Sequence, residues 1–244
     1  HQRRTMLRAS SAVVGLWLLL LGAQAQDDQA RDDSSGYHNR EILLGLYQST
    51  GGLGWTDSSN WFQQSSEVCE WNGIQCYSDN ESDGRKNGLI REINLKENHL
   101  VGTVPALVFE IPYIERLIFN DNPDLDVDLS GLSKAQFLTH LDISKTSVSK
   151  IDNIGDAQKL EVLHVTDLGL KGNLPNSLFD MSNLLALFAN YNSFSGTLST
   201  LIGKLTSLDE MFLYDNEFTG QIPTHIGLLT GLEVLNLGQN AWGG

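Results

Sequence analysis

A nine-residue pattern, L-x-x-L-x-L-x-x-N with apolar substitutes, recurs along most of this 244-residue chain. It begins at Ile90, Ile114, Leu138, Leu160, Leu184, Leu208 and Leu232, so successive starts lie 24, 24, 22, 24, 24 and 24 residues apart. Coiled-coil heptads do not produce such a period. A repeat of this length is typical of a solenoid, in which each unit buries its apolar face against its neighbours.

The middle of each pattern alternates apolar and polar residues, which predicts a short strand with one buried face. Stacked about 4.8 Å apart, such strands form a parallel sheet on the concave side of the solenoid. We therefore predict an α/β solenoid of seven leucine-rich repeats of 22–24 residues over 90–244, with a helical N-terminal cap. The asparagine that ends each strand is expected to bond the backbone of the turn: Asn98, Asn122, Asn192, Asn216 and Asn240. Thr146 and Leu168 occupy the two remaining positions.

Several repeats carry the element G-x-(V/L/I)-P after the asparagine, at 102–105, 172–175 and 220–223. This element resembles the plant-specific class of leucine-rich repeats, found in receptor-kinase ectodomains and polygalacturonase-inhibiting proteins. The resemblance covers nearly everything after residue 37. The second and third repeats lack the element, so we expect part of the second, smaller sheet to be lost there.

Residues 38–89 resemble the N-terminal cap of the same family. Ile42, Leu43 and Leu46 have helical spacing, and glycines at 51 and 52 are expected to end the helix. The run C-x-W-x-G-I-x-C over 69–76 matches the cap motif. The resemblance implies a disulfide between Cys69 and Cys76, in keeping with an exported chain.

The N-terminus has the pattern of a targeting segment. Three arginines precede an apolar stretch over 12–21, and Ala-Gln-Ala follows at 23–25. Residues 1–25 are predicted to be a secretory signal peptide or a retained signal-anchor, and 26–37 an acidic, polar linker. Either alternative places the rest of the chain in the secretory pathway, at the cell surface or outside the cell. Asn80 begins the sequon Asn-Glu-Ser and is a predicted glycosylation site.

Composition excludes several functional classes. The formal net charge is −14, which argues against a nucleic-acid or anionic-membrane surface. Two cysteines are too few for a zinc site built mainly from thiolates. Since no phosphate-binding motif is present either, we expect a non-enzymatic protein without a metal or cofactor.

The solvent-facing positions of the strands carry an aromatic patch in the fifth and sixth repeats. Aromatic residues on a wet sheet are typical anchors of interfaces. We predict that ligand is bound by Phe188, Asn190, Tyr191, Phe212, Tyr214, Asp215 and Asn236. The alternatives are a patch covered by a further C-terminal region and aromatics that serve only strand packing. Seven carboxylates and three basic residues across the face favour a neutral or cationic partner.

A second polar group lies upstream: His140, Asp142, Ser144 and His164. A hydrolytic triad or a metal site needs an enclosing pocket, and a triad also needs a donor for the oxyanion. An open sheet is expected to provide neither the pocket nor the donor. Ordinary solvated side chains are the favoured interpretation.

The function predicted is an extracytosolic recognition module that binds a protein, peptide or glycan on its concave face, within a receptor-like cell-surface protein. The alternatives are a secreted inhibitor of cell-wall-degrading enzymes and a membrane-anchored adhesive or structural surface protein. The seventh repeat stops halfway through its period, so we expect the natural chain to continue past Gly244.

Overall fold

The computed structural model describes residues 34–61, 63, 66–78 and 88–243. By its contacts the chain divides into two units, 1–37 and 38–244. Of the first unit only residues 34–37, the first turn of a helix, are described. The predicted signal segment at 1–25 and the sequon at Asn80 lie outside the described residues. The rest of this section concerns the second unit.

Helix α1, Ser34–Ser49, forms the cap together with three tryptophans. The helix begins at Ser34, within the last four residues of the predicted linker 26–37. It ends two residues before Gly51, whose backbone is left-handed with a φ of 67°. Leu43 and Leu46 are fully buried. Gly52 presses against the ring of Tyr47, so no side chain fits at this turn. The indole rings of Trp55, Trp61 and Trp71 fill the space below the helix and are all buried.

The predicted disulfide is present. Cys69 and Cys76 are bonded, with their Cα atoms 5.6 Å apart. Cys76 ends the first strand, which runs antiparallel to the first strand of the repeats. The disulfide therefore ties the cap to the sheet edge, as the resemblance implied.

The described residues contain fourteen strands. They are β1 Ile74–Cys76, β2 Ile90–Asn94, β3 Val101–Val104, β4 Arg116–Ile118, β5 Asp124–Val127, β6 His140–Asp142, β7 Val162–His164, β8 Lys171–Gly172, β9 Ala186–Phe188, β10 Ser193–Gly196, β11 Glu210–Phe212, β12 Glu217–Gly220, β13 Val234–Asn236 and β14 Ala241–Trp242. Eight of them form one sheet in the order β1-β2-β4-β6-β7-β9-β11-β13. From β2 onward every pairing in this sheet is parallel.

Short 3₁₀ helices form the return legs of the first six repeats, and two more lie in the cap. They span Gly52–Gly54 and Val68–Glu70 in the cap, then Ala106–Glu110, Leu129–Lys134, Ile154–Asp156, Asn176–Asp180, Thr200–Lys204 and Thr224–Leu228. The leucine positions of the pattern fill the space between these helices and the sheet. Leu117, Leu141, Leu163 and Leu187 are all completely buried. The predicted leucine-rich repeat solenoid is confirmed.

The smaller sheet is interrupted, as predicted. Its strands form one group, β3-β5, and a second group, β8-β10-β12-β14. The third repeat, which is the 22-residue one, contributes no strand between them among the described residues. The second repeat keeps its strand although it lacks the G-x-(V/L/I)-P element, because Leu125 and Val127 alternate with two aspartates and are buried. The loss is therefore confined to the third repeat.

The asparagine ladder has the expected geometry. Asn122 is completely buried. Its Oδ1 accepts from the backbone N–H groups of Asn98 and Leu100 at 3.1 and 2.9 Å, and its Nδ2 donates to the carbonyls of Leu95 and Phe119. Asn192, Asn216 and Asn240 make equivalent bonds. At the third repeat Thr146 makes a single bond of this set, to the carbonyl of Ile143.

Candidate ligand-binding face

The central solvent-facing column of the large sheet contains a stack of three rings. His164, Phe188 and Phe212 are direct register partners on β7, β9 and β11. The rings of His164 and Phe188 have centroids 4.1 Å apart and planes within 6°, and those of Phe188 and Phe212 lie 5.0 Å apart and within 9°. In-register parallel strands place equivalent side chains about 4.8 Å apart, so identical rotamers bring the rings face to face. We call these three residues the aromatic stack.

Two tyrosines border the aromatic stack where the strands end. Tyr191 and Tyr214 meet edge to face with centroids 5.0 Å apart, and Tyr214 in turn meets Phe212 edge to face at 6.4 Å. Tyr191 is 51% exposed, whereas Tyr214 is half-buried. The hydrogen bond with the neighbouring Tyr191 hydroxyl raises the pKa of Tyr214. The structure thus brings the four predicted aromatics together into one surface.

The predicted polar ligand contacts behave less uniformly. Asn190 is not available on the surface: it is 6% exposed, and its Oδ1 accepts a hydrogen bond from Thr166 Oγ1 at 3.2 Å. Its assignment as a ligand contact is therefore corrected to a structural role. Asp215 remains partly exposed beside Tyr214. Asn236 follows Phe212 in the central column, and its Oδ1 accepts from the N–H of Gly238.

One feature of the face was not predicted from the sequence. The residue that follows each strand by three positions has left-handed backbone geometry, with φ between 51° and 59°: Glu97, Asp121, Lys145, Asp167, Tyr191, Asp215 and Gln239. In six of them the N–H donates to a carbonyl of the next repeat, Tyr191 to Tyr214 for example. Residues other than glycine rarely adopt left-handed backbone geometry unless the surrounding hydrogen bonds hold them in it. The residue types in this column share no common signal that would have revealed it.

The upstream histidine group is not arranged for catalysis. Ser144 is buried, and its hydroxyl accepts from the N–H of Thr166. Asp142 accepts from the N–H of Ser144 at 3.0 Å, and His140 pairs with Thr139 at 2.8 Å. Within the described residues no hydrogen bond joins Asp142 or Ser144 to either histidine. The favoured interpretation, ordinary solvated side chains, is wrong for two of the four residues, because Ser144 is buried and the ring of His164 stacks on Phe188.

Burial sets the protonation of both histidines. The pKa of His164 is lowered chiefly by its burial, against the opposing effect of the Asp142 and Glu210 carboxylates. The pKa of His140 is lowered by burial as well, and nearby Arg116 lowers it further. His164 is therefore a neutral imidazole at pH 7 and acts as a third aromatic ring in the stack.

Two kinds of feature are absent from the described residues, a metal-binding cluster and a membrane-spanning helix. In the part of the chain that the structure describes, no group of three or more His, Cys, Asp or Glu side chains is placed to hold a metal ion. Across the same residues, no helix has the length and apolar character needed to cross a bilayer.

The arrangement is suited to binding. The face offers a contiguous aromatic surface, two phenol groups and nearby carboxylates, and these groups can take up apolar and polar parts of a partner together.

The fold is shared with solved plant structures. A plant ice-binding protein aligns with a TM-score of 0.70 at 20% identity, covering 84% of this chain and 72% of that chain. The ectodomain of the Arabidopsis receptor kinase HAESA, in complex with an N-terminally extended IDA peptide hormone, aligns with a TM-score of 0.70 at 24% identity, covering 85% of this chain. The ectodomain of the Arabidopsis thaliana receptor kinase SOBIR1 aligns with a TM-score of 0.51 at 17% identity, covering 84% of this chain and 95% of that chain.

These structural alignments show that the chain shares the leucine-rich repeat fold of the plant proteins. The chain spans 34% of the length of the HAESA ectodomain, about a third. No protein-family model matches the sequence, and no curated protein sequence matches it.

Proposed function

We propose that this chain is an extracytosolic recognition module that binds a protein or peptide on the sheet face of its fourth to seventh repeats. In our proposal it belongs to a receptor-like cell-surface protein. The observation that carries the proposal is the aromatic stack with its bordering tyrosines. One structure of the same fold, the HAESA ectodomain, is a complex with a peptide hormone, which supports a peptide as the kind of ligand.

The cost of leaving these rings in water supports the proposal. Phe188, Phe212 and Tyr214 are only half-buried and Tyr191 is half exposed, although the solenoid core beneath them is complete without their rings. Covering apolar surface contributes about 25 cal/mol per Å². Phenylalanine and tyrosine at the centre of a patch are also the residue types that dominate binding energy at interfaces. A partner seated here would gain from contacts that the free protein leaves unused.

The disulfide supports the proposed location. Disulfides persist in oxidising compartments and are rare in the cytosol. Cys69 and Cys76 are bonded at the end of the solenoid, which agrees with export of the chain. We therefore place the module outside the cytosol.

The proposal is tested by selecting binders from a displayed library of random dodecapeptides on the purified protein. The binders are then measured against the double variant Phe188→Ala/Phe212→Ala. We expect the affinity to fall by a factor of ten or more, because large aromatic side chains at the centre of an interface each contribute a factor of about ten or more.

Ile118→Ala is the matched control, since Ile118 lies in the same column two strands before His164, outside the aromatic stack. Thermal unfolding of each variant confirms that it is folded. If the selected peptides bind the double variant as tightly as the wild type, the proposed site is wrong.

A further inference from the structure

The sheet face is divided into two halves of different electrostatic character. Its first half, made by the octets 90–97, 114–121 and 138–145, has four basic residues and five carboxylates. Most of them are paired across adjacent strands: Arg91 with Glu115 at 2.7 Å, Arg116 with Glu92 at 2.9 Å and Lys145 with Asp121 at 2.9 Å. Charge in this half is therefore largely satisfied within the protein.

The second half carries an excess of negative charge. The octets 160–167, 184–191, 208–215 and 232–239 contain no lysine or arginine. They contain six carboxylates: Glu161, Asp167, Asp209, Glu210, Asp215 and Glu233. Within the described residues none of the six forms a salt bridge or accepts a hydrogen bond through its side chain. All six are at least partly exposed.

These carboxylates flank the apolar surface on both sides. Glu161, Asp209 and Glu233 lie immediately before β7, β11 and β13, and Asp167 and Asp215 lie three residues after β7 and β11. Between them run the aromatic stack and a second column of side chains, in which Val162, Ala186 and Val234 are small and apolar and the sixth carboxylate, Glu210, lies between Ala186 and Val234. The second half of the face is thus an apolar strip between two acidic borders.

The geometry of the rings limits what can bind on the strip. Phe188 has His164 against one of its faces and Phe212 against the other. Cation–π recognition needs an open ring face. Phe188 presents its edge instead, a surface suited to aliphatic side chains. A cation is better placed at the borders, where the carboxylates are.

We propose that the ligand of this half is a cationic peptide in an extended conformation, an inference that rests on the function proposed above. Its aliphatic side chains contact the aromatic stack, and its lysine or arginine side chains reach the acidic borders. In an extended chain successive side chains point to opposite sides, so aliphatic residues at every second position face the stack. The intervening lysine or arginine side chains have long flexible stems, with which they reach sideways to the borders. Charge complementarity also predicts faster association at low ionic strength.

The inference is tested with three capped dodecapeptides that alternate leucine with lysine, leucine with glutamate, and serine with lysine. Binding is measured by fluorescence anisotropy at low and at physiological salt. We expect the leucine–lysine peptide to bind at least tenfold more tightly than either of the other two. Its affinity should fall by about tenfold in the triple variant Asp209→Asn/Glu210→Gln/Asp215→Asn, since three exposed charge pairs together are worth about that factor.

The matched control neutralises three exposed carboxylates off the sheet face, in Glu110→Gln/Asp152→Asn/Asp156→Asn. This control changes the net charge equally and is expected to leave the affinity within about twofold of the wild type, because exposed charges more than about 10 Å from the ligand are screened. Equal loss in both triple variants would show that only the overall charge matters, and would overturn the inference. Equal binding of the leucine–lysine and leucine–glutamate peptides would overturn it too.

The random-library selection separates the two proposals. Binders that require Phe188 and Phe212 but carry no excess of lysine or arginine would overturn the cationic ligand and leave the recognition function standing. Binders that do not require the two phenylalanines would overturn both.

Discussion

The imidazole of His164 lies parallel to the phenyl ring of Phe188, with their centroids 4.1 Å apart and their planes within 6°. A histidine in this position is an aromatic side chain that can also acquire charge. Burial holds its pKa below the ordinary value of 6.5 even though Asp142 and Glu210 favour the protonated form. The relationship makes both the stability and the binding face sensitive to pH.

Stability is expected to fall as the pH drops below about 6.5. Because the folded pKa is lowered, the unfolded chain binds more protons in this window, and unfolding becomes easier as protons are added. His140 acts in the same direction. The measurement compares urea midpoints at pH 7.5 and 5.5 for the wild type, His164→Phe and His140→Gln. The drop should be smaller in each variant than in the wild type; an identical drop in His164→Phe would contradict the role assigned to this histidine.

Tyr191→Asn is expected to leave stability within about 0.5 kcal/mol of the wild type, because the side chain is half exposed and asparagine tolerates a φ of 55° better than tyrosine does. Binding of the selected peptides should nevertheless weaken by about tenfold. The variant loses the exposed apolar surface of the Tyr191 ring and the edge-to-face contact by which that ring supports Tyr214. Gln239→Asn is the control in the same backbone column. Unchanged peptide binding in Tyr191→Asn would remove the tyrosine from the site.

Asn122→Ala is expected to lower the free energy of unfolding by about 3 kcal/mol. The asparagine is completely buried and joins two backbone N–H groups to two carbonyls, and each stranded buried group costs about 1–3 kcal/mol. Urea denaturation measures the loss. Asn120→Ala, two residues earlier and half-buried at the surface, should cost far less.

Thr146→Asn is expected to stabilise the protein by about 1 kcal/mol by filling the gap in the ladder. By the spacing seen at Asn122 and Asn192, an asparagine at 146 accepts from the N–H groups 24 and 22 residues earlier, those of Asn122 and Asp124. Its amide nitrogen replaces the Thr146 hydroxyl at the carbonyl of Ile143. A loss of stability in this variant would show that the irregular third repeat cannot accommodate the regular turn.

Replacing both cysteines in Cys69→Ser/Cys76→Ser is expected to cost about 2–3 kcal/mol, the chain-entropy contribution of a closed loop of this length. The loss is measured as a lower urea midpoint of the variant relative to the oxidised wild type. Reduction of the wild-type disulfide should lower the midpoint by a similar amount. A reduced wild type as stable as the oxidised protein would contradict the prediction.

The repeat made the fold predictable. Each leucine of the pattern fills the same place in successive turns, so the spacing of Leu117, Leu141 and Leu163 in the sequence determines their register in the sheet. The Cys69–Cys76 pair was predicted from the resemblance of the cap motif to that of the family. The interruption of the small sheet was predicted for the second and third repeats from the missing G-x-(V/L/I)-P element, and only the third repeat shows it.

The candidate site was predicted only in part. Which aromatics share a surface followed from the column positions of Phe188 and Phe212, since a parallel sheet aligns equivalent residues. The burial of Asn190 did not follow, because its bond to Thr166 depends on how two side chains of neighbouring repeats settle. The stacking of His164 on Phe188 was missed as well, since a histidine in a polar group gave no sign of its ring orientation.

The sequence by itself thus determined the solenoid, its repeat boundaries and the strand column in which each residue lies, because nearest-neighbour packing of similar units depends on local spacing. Only the tertiary structure decided which exposed side chains are stacked, paired or buried. Those contacts form between repeats, where rotamers, the left-handed backbone column and cross-strand charges act together. Arg116 pairs with Glu92, whereas Asp209 and Asp215 form no salt bridge among the residues that the structure describes, and this difference divides the face into two halves.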